Sequence, residues 1–273
     1  FRSGHNVFGI SSSVSSEKCF LCDLRNRKLV AEVILKIEPD IVIHAAGLAS
    51  VTKGESIDYY EHNVLTTENV LLALDLLKGR KRFVFLSTAA VYGNQTTDIL
   101  HEELIPLPVS HYGMSKYGCE RMVNMASEKH DITNLRLFNL IGSGQNTDFI
   151  VAKLIEHYHK KASSIQLGNI DTIRDYLDIN TAVDRIVALT FNHKSFGETI
   201  NLCSGIGYSI RDMLLILDEL AQYSIAVEQV AGLMRKAEVW NLLGSVEKFK
   251  FISDRPFVAK PLQVILSEMM SSK

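Results

Sequence analysis

Charge of one sign is missing from this chain: 29 Lys and Arg face 31 Asp and Glu, for a net charge of −2. No basic surface for nucleic acid or an anionic membrane is therefore expected. Long apolar runs are missing too, since no stretch approaches the roughly 18 to 20 residues that span a bilayer, and no basic start leads into an apolar, signal-like segment. Cysteine is scarce, with four in the chain. Cys19 and Cys22 spell C-x-x-C in a short strand, where residues three apart face opposite sides, and no second pair or His pair completes a zinc set. With Cys119 and Cys203 they read as small buried hydrophobes. The expectation is a cytoplasmic protein acting on a small molecule, without metal, membrane or nucleic acid.

The 273 residues, 47% of them hydrophobic, suffice for one large α/β core with a smaller lobe. Apolar runs at 7–10, 41–46, 82–87 and 134–138 read as strands, the second of the kind buried on both faces. Amphipathic stretches at 29–37, stopped by Pro39, at 63–77, closed by Gly79, and at 112–128 read as helices. This βαβα order predicts a doubly wound parallel sheet, with the strand ends at Ala46, Thr88 and Phe138 along one ligand-binding edge. Beyond Gly142 the texture changes, with helices expected at 149–158, 181–191 and 210–221 and a strand at 199–202. The expected division is a dinucleotide-binding domain over 1–145 and a substrate-binding lobe over 146–273, some of whose segments return to the first core. A crevice between them would take the substrate.

Tyr112 and Lys116 are one helical turn apart on the same face. A phenol is a poor base at neutral pH, and a neighbouring ammonium is expected to lower its pKa. Thr88, at the end of a strand, could hold a carbonyl or alcohol oxygen while Tyr112 gives or takes its proton.

Asp23-Leu24 after a strand, His44-Ala45-Ala46-Gly47 at a strand end, Asn63-Val64 opening a helix and Ser87-Thr88-Ala89-Ala90-Val91-Tyr92-Gly93 are followed by three more motifs. These are Tyr112-Gly-Met-Ser-Lys116, Arg136-x-Phe138-Asn139 and Arg174-Asp175-Tyr176-x-Asp178. Together they resemble the extended short-chain dehydrogenase/reductase family, the NAD-dependent epimerases and dehydratases that modify nucleotide-activated sugars. The resemblance implies a Rossmann-like sheet with a smaller C-terminal α/β substrate lobe. It makes Tyr112 the general acid/base, Lys116 its tuner and ribose ligand, and Thr88 the holder of the sugar oxygen. Ala45, Ala46 and Gly47 would line the cofactor with backbone, and Asp23 would reach the adenine amine with Leu24 packed beside it. Ser87 and Phe138 would also border the cofactor, while Asn63 would orient the catalytic helix. For Asp23 a strand-end cap, and for Asn63 an ordinary helix cap, remain as alternatives.

The family's glycine-rich phosphate loop is not in this sequence, whose opening at Phe1 reads as the approach to a second strand. The first βα unit is expected to lie ahead of it. At the strand end where an acid would select NAD stand Ser11, Ser12 and Ser13, so NADP is permitted as well as NAD. Dehydratases carry Asp-Glu after the threonine, whereas Ala89-Ala90 stands here, which disfavours elimination. The cysteine of 3,5-epimerase/reductases is also missing from that strand end. A 4-keto-sugar reductase remains, with a 4-epimerase holding NAD tightly as the alternative and a catalytically silent regulatory member as another.

The second half, with Asn139, Gly168-Asn169, Arg174-Asp175 and Arg235-x-x-Glu238, looks most like GDP-4-keto-6-deoxy-mannose reductases. That implies Asn139, Asn169, Arg174, Arg235 and Glu238 at a GDP-linked sugar, the arginines gripping the diphosphate. The other reading of Arg174 is an ion pair with Asp175 or Asp178, and of Arg235 a pair with Glu238. His111 and Trp240 stand where proline is usual, and His157 and His159 receive no role. Relatives dimerise through the helices carrying Asn63 and Tyr112, so a homodimer is expected.

Overall fold

The computed structural model describes residues 4–49, 55–234, 238–253 and 256–272. It divides into two compact units. Unit 1 comprises Phe1–Val91, Pro108–Leu135 and Phe196–Thr199, and unit 2 comprises Tyr92–Leu107, Arg136–Ser195 and Ile200–Lys273. The expected division at residue 145 is therefore replaced by one that gives 92–107 and 136–145 to unit 2, the longer unit, while Phe196–Thr199 returns to unit 1.

Unit 1 begins with a parallel pair, β1 (Gly9–Ser11) and β2 (Cys19–Leu21). Helix α1 (Arg27–Ile37) starts where Asn26 accepts a hydrogen bond from the Leu29 amide, and it stops at Glu38, left-handed at φ 48°. Pro39 follows and bars continuation. Strand β3 (Ile41–His44) pairs in parallel with β4 (Arg82–Thr88), and the sheet order is β3-β4-β5-β9, with β5 at Asp131–Leu137 and β9 at Thr199–Leu202. β3 was expected to be covered on both faces, yet Ile43 is 44% exposed. β3 stands at the end of this order among the described residues, whereas β4 lies between β3 and β5, with Phe83, Val84 and Phe85 fully buried.

The helix expected at 63–77 begins earlier. It runs as α2 (Ser56–Tyr59), a π-helical turn over Tyr60–Leu65 and α3 (Thr66–Leu74). The Thr66 and Thr67 hydroxyls bond back to the carbonyls of His62 and Asn63, each at 2.7 Å. Such back-bonding competes with the helical ladder and favours a local bulge. Helix α4 (His111–Met125) is capped by Ser110, whose side chain accepts from the Gly113 amide. Val30, Val33 and Ile34 of α1 pack with Val70 and Leu74 of α3, Val123 of α4 and Phe83 and Phe85 of β4 as one core.

In unit 2, β6 (Asn139–Ile141) lies parallel to β8 (Ile173–Asp178), which also pairs with β10 (Gly207–Tyr208) and β12 (Asn241–Leu242). β7 (Ser164–Leu167) and β11 (Ala226–Gln229) form a second parallel pair. Helices α5 (Ile150–His159), α6 (Ile179–Phe191), α7 (Ile210–Ala221), α8 (Glu247–Ile252) and α9 (Leu262–Ser271) complete the unit. α5, α7 and α9 bury Leu154, Tyr158, Met213, Leu217, Ile265 and Leu266 in a core of their own. Buried Asp175 pins the 204–205 turn by accepting from the Ser204 amide and hydroxyl and the Gly205 amide. Among the described residues no helix is long and apolar enough to cross a membrane. Parallel strands alternating with helices make this an α/β, Rossmann-like fold.

Candidate active site and nucleotide cavity

Thr88, Tyr112 and Lys116 meet in unit 1. The 3-10 turn Ala89–Val91 ends β4, and α4 starts against it with no room to spare: a Cβ on Gly113 would stand 2.7 Å from the Ala90 carbonyl oxygen. That contact seats Tyr112 beside Thr88. Thr88 Oγ1 accepts from the Ala90 amide at 3.2 Å, which leaves its proton free for the hydrogen bond it shares with the Tyr112 phenol. Burial pushes the Tyr112 pKa up, the Thr88 hydrogen bond pulls it down, and nearby Tyr59, 6.2 Å away between ring centroids, adds to the rise.

Lys116 departs from the expected arrangement. Its Nζ does not stand beside the phenol; it donates to the Leu86 carbonyl at 2.5 Å and lies 4.2 Å from the centroid of the Phe85 ring. The reason is burial: at 6% exposure the ammonium takes the backbone acceptor and aromatic face within reach. Burial also lowers its pKa from 10.5 to about 8, against the opposing influence of Cys119 and Glu120. Ser87, expected at the cofactor, is buried and spends its hydroxyl on Glu120 at 2.5 Å.

Asn63 sits inside the π-helical turn rather than opening a helix. Its Oδ1 accepts from the Leu48 amide at 2.8 Å, and its Nδ2 donates to the Ser115 hydroxyl at 2.9 Å, so it ties the loop after β3 to α4. Ala45, Ala46 and Gly47 are exposed at the carboxyl end of β3. Gly47 has φ +145°, and a Cβ there would meet Asn63 Oδ1 at 2.5 Å. This open, side-chain-poor backbone fits a flat dinucleotide lying against it. His44 is stacked near Phe83 and Phe85, with Nε2 3.1 Å from the Thr67 hydroxyl, and burial holds its pKa at about 3. Asp23 is engaged by Arg25 through hydrogen bonds of 2.7 to 3.1 Å that hold its carboxyl at about 2. It remains half exposed, and the Leu24 carbonyl accepts from Asn69.

Unit 2 holds a cavity of about 250 Å³ lined by Asn139, Gln145, Asn169, Thr172, Arg174 and Glu238 among others. Arg174 pairs with Glu238 at 3.2 Å and donates to the Ile173 carbonyl. The alternative pairing of Arg174 with Asp175 or Asp178 is not the one formed, because Asp175 holds the 204–205 turn and Asp178 caps α6. Asn139 Nδ2 donates to the Asp175 carbonyl, and Asn169 Oδ1 accepts from the Asp171 amide. Arg235 lies outside the described residues. Phe138 also belongs to unit 2, where its ring centroid is 6.4 Å from that of Tyr92. Sequence reasoning missed Gln145. Its Nε2 donates to the Leu140 carbonyl while its buried Oε1 has no partner among the described residues, and no local pattern announces that. It also missed Glu120, although the repeat of four from Tyr112 through Lys116 marks the same helix face.

A protein of Aggregatibacter actinomycetemcomitans named GDP-6-deoxy-D-talose 4-dehydrogenase is 34% identical over 252 residues, covering 92% of this chain and 85% of the relative. GDP-6-deoxy-D-mannose reductase of Pseudomonas aeruginosa is 32% identical over 218 residues, 76% of this chain and 71% of that one. The structure of RMD from Pseudomonas aeruginosa complexed with NADPH superposes with a TM-score of 0.83 at 26% identity, over 95% of this chain and 91% of that one. The family model for the NAD dependent epimerase/dehydratase family matches residues 1–203. With motif order, site geometry and fold in agreement, the chain belongs to the NAD dependent epimerase/dehydratase family.

Proposed function

We propose that this protein reduces the C4 ketone of a GDP-linked 4-keto-6-deoxy-hexose. The observation that carries the reading is the Thr88–Tyr112 hydrogen bond at the end of β4, with Lys116 on the same helix and Ala89-Ala90 where a dehydratase places an acid and a base. The cofactor is a nicotinamide dinucleotide, NADP or NAD, which when bound supplies the hydride. Ala45, Ala46 and Gly47 would accept it along their exposed backbone, bordered by Asp23 and Leu24. Thr88 orients the sugar's O4 and Tyr112 gives that oxygen its proton, while Lys116, held at the Leu86 carbonyl on the same stripe of α4, would bond the nicotinamide ribose. The unit 2 cavity holds the nucleotide, with Arg174 turned to the diphosphate. GDP-linked substrates are supported by the names of the two relatives, which place 6-deoxy-talose and 6-deoxy-mannose on GDP.

The test is product identification by mass spectrometry after incubation with a GDP-4-keto-6-deoxy-hexose and NADPH. The reading expects a GDP-6-deoxy-hexose heavier than the substrate by two hydrogens. Recovery of unchanged keto sugar by folded protein contradicts it.

A further inference from the structure

Three consecutive residues of β4 each receive one residue of α4. The Leu86 carbonyl accepts from Lys116, the Ser87 hydroxyl donates to Glu120 Oε1 at 2.5 Å, and Thr88 bonds Tyr112. Positions 112, 116 and 120 repeat every four residues and so share one stripe of the helix. The first two have a chemical role in the reading above. The third is a carboxylate only 2% exposed, a placement that is unfavourable unless the group is compensated by a partner.

We propose that Glu120 is a positioning residue for Lys116 and Tyr112, a buried counter-charge that also keys the catalytic helix to the end of β4 through Ser87. This rests on Tyr112 and Lys116 being the proton-transfer pair. Around Lys116, α4 contributes Cys119 and Glu120, β3 contributes His44, and β4 contributes the Phe85 ring and the Leu86 carbonyl. Burial raises the Cys119 thiol above its usual value and holds His44 down at about 3, so both are uncharged at neutral pH. Tyr112 is likewise neutral there, its pKa raised by burial. The carboxylate in this set is Glu120, one helical turn from Lys116 and bonded to Ser87, and its influence opposes the loss of the Lys116 proton. A structural residue making the same contact with Ser87 would need no charge.

The experiment is a pH titration of the Lys116 ε-carbon by NMR, assigned by its disappearance in Lys116→Met, in wild type and Glu120→Gln. Gln keeps the shape and an acceptor for Ser87 and removes the charge. The expected result is a Lys116 midpoint lower by about one pH unit or more, the effect of deleting an opposite charge one helical turn away. The alkaline limb of kcat/KM should move the same way. An unmoved midpoint in a folded variant overturns the proposal and makes Glu120 a packing residue. Glu120→Asp serves as a second test, and the only one if Glu120→Gln does not fold. It keeps the charge but draws it back from Ser87, so the midpoint should stay within about half a unit of wild type. A fall of a full unit there overturns the counter-charge role, because hydrogen-bond geometry would then govern the ammonium. The titration needs neither cofactor nor sugar, so its failure is separable from failure of the reductase reading, which wild-type turnover reports.

Discussion

Tyr112 differs from phenylalanine by one oxygen, and that oxygen is bonded to Thr88. Tyr112→Phe should therefore lower turnover by about 100-fold or more, the scale of a general acid, with little change in melting temperature. Near wild-type turnover would remove Tyr112 from the mechanism. Lys116 makes a prediction about stability. Its pKa is about 8 in the folded protein against 10.5 for the free side chain, so the folded state gives up the proton first. The cost of burying the cation is full below pH 8 and fades between about 8 and 10.5. Measured by denaturant unfolding, the stability of wild type relative to Lys116→Met should improve by roughly 3 kcal/mol from pH 7 to pH 10.5. A flat difference would mean that the ammonium is not buried as described. At this scale the i, i+4 spacing of Tyr112 and Lys116 was legible in the sequence, because helical geometry is local. The destination of the Lys116 amine was not, since it depends on which carbonyl and ring the packed sheet presents.

α4 and the stretch from α2 to α3 hold the site, and each depends on an unusual feature. Gly113 is required because the Ala90 carbonyl and Pro108 Cβ would lie 2.7 and 3.0 Å from any added Cβ. Gly113→Ala should destabilise the fold by about 1–3 kcal/mol through overpacking and should also slow turnover, since α4 must lift away from the 89–91 turn that seats Tyr112. Unchanged stability together with unchanged turnover would contradict that seating. Helices α1, α5, α6 and α7 lie within a few residues of where their apolar periodicity puts them, and Asn26, Asp178 and Ser209 supply caps. The π-helical turn escaped because it shifts the ladder by one residue without changing composition.

Over the whole molecule, Thr88, Tyr112 and Lys116 lie in unit 1 and the cavity lined by Arg174 lies in unit 2, and the proposed function assigns proton transfer to the first and the nucleotide to the second. The motif order placed these residues on their elements but did not give the boundary, because segments distant in sequence complete each unit. Arg174→Ala should weaken GDP binding about 10-fold or more while leaving NADPH affinity unchanged, as expected for loss of a charge-assisted phosphate contact of about 1.5–3 kcal/mol. Titration calorimetry with both ligands checks this, and equal losses would reduce Arg174 to the structural partner of Glu238. The most direct measurement is stoichiometry: a GDP-4-keto-6-deoxy-hexose supplied in limiting amount, with NADPH or NADH loss followed by absorbance and product by chromatography. A reductase consumes one reduced cofactor for each GDP-6-deoxy-hexose formed, and that equality is the predicted result. Interconversion of fully hydroxylated GDP- or UDP-hexoses with no net change in cofactor would contradict it and identify a 4-epimerase instead.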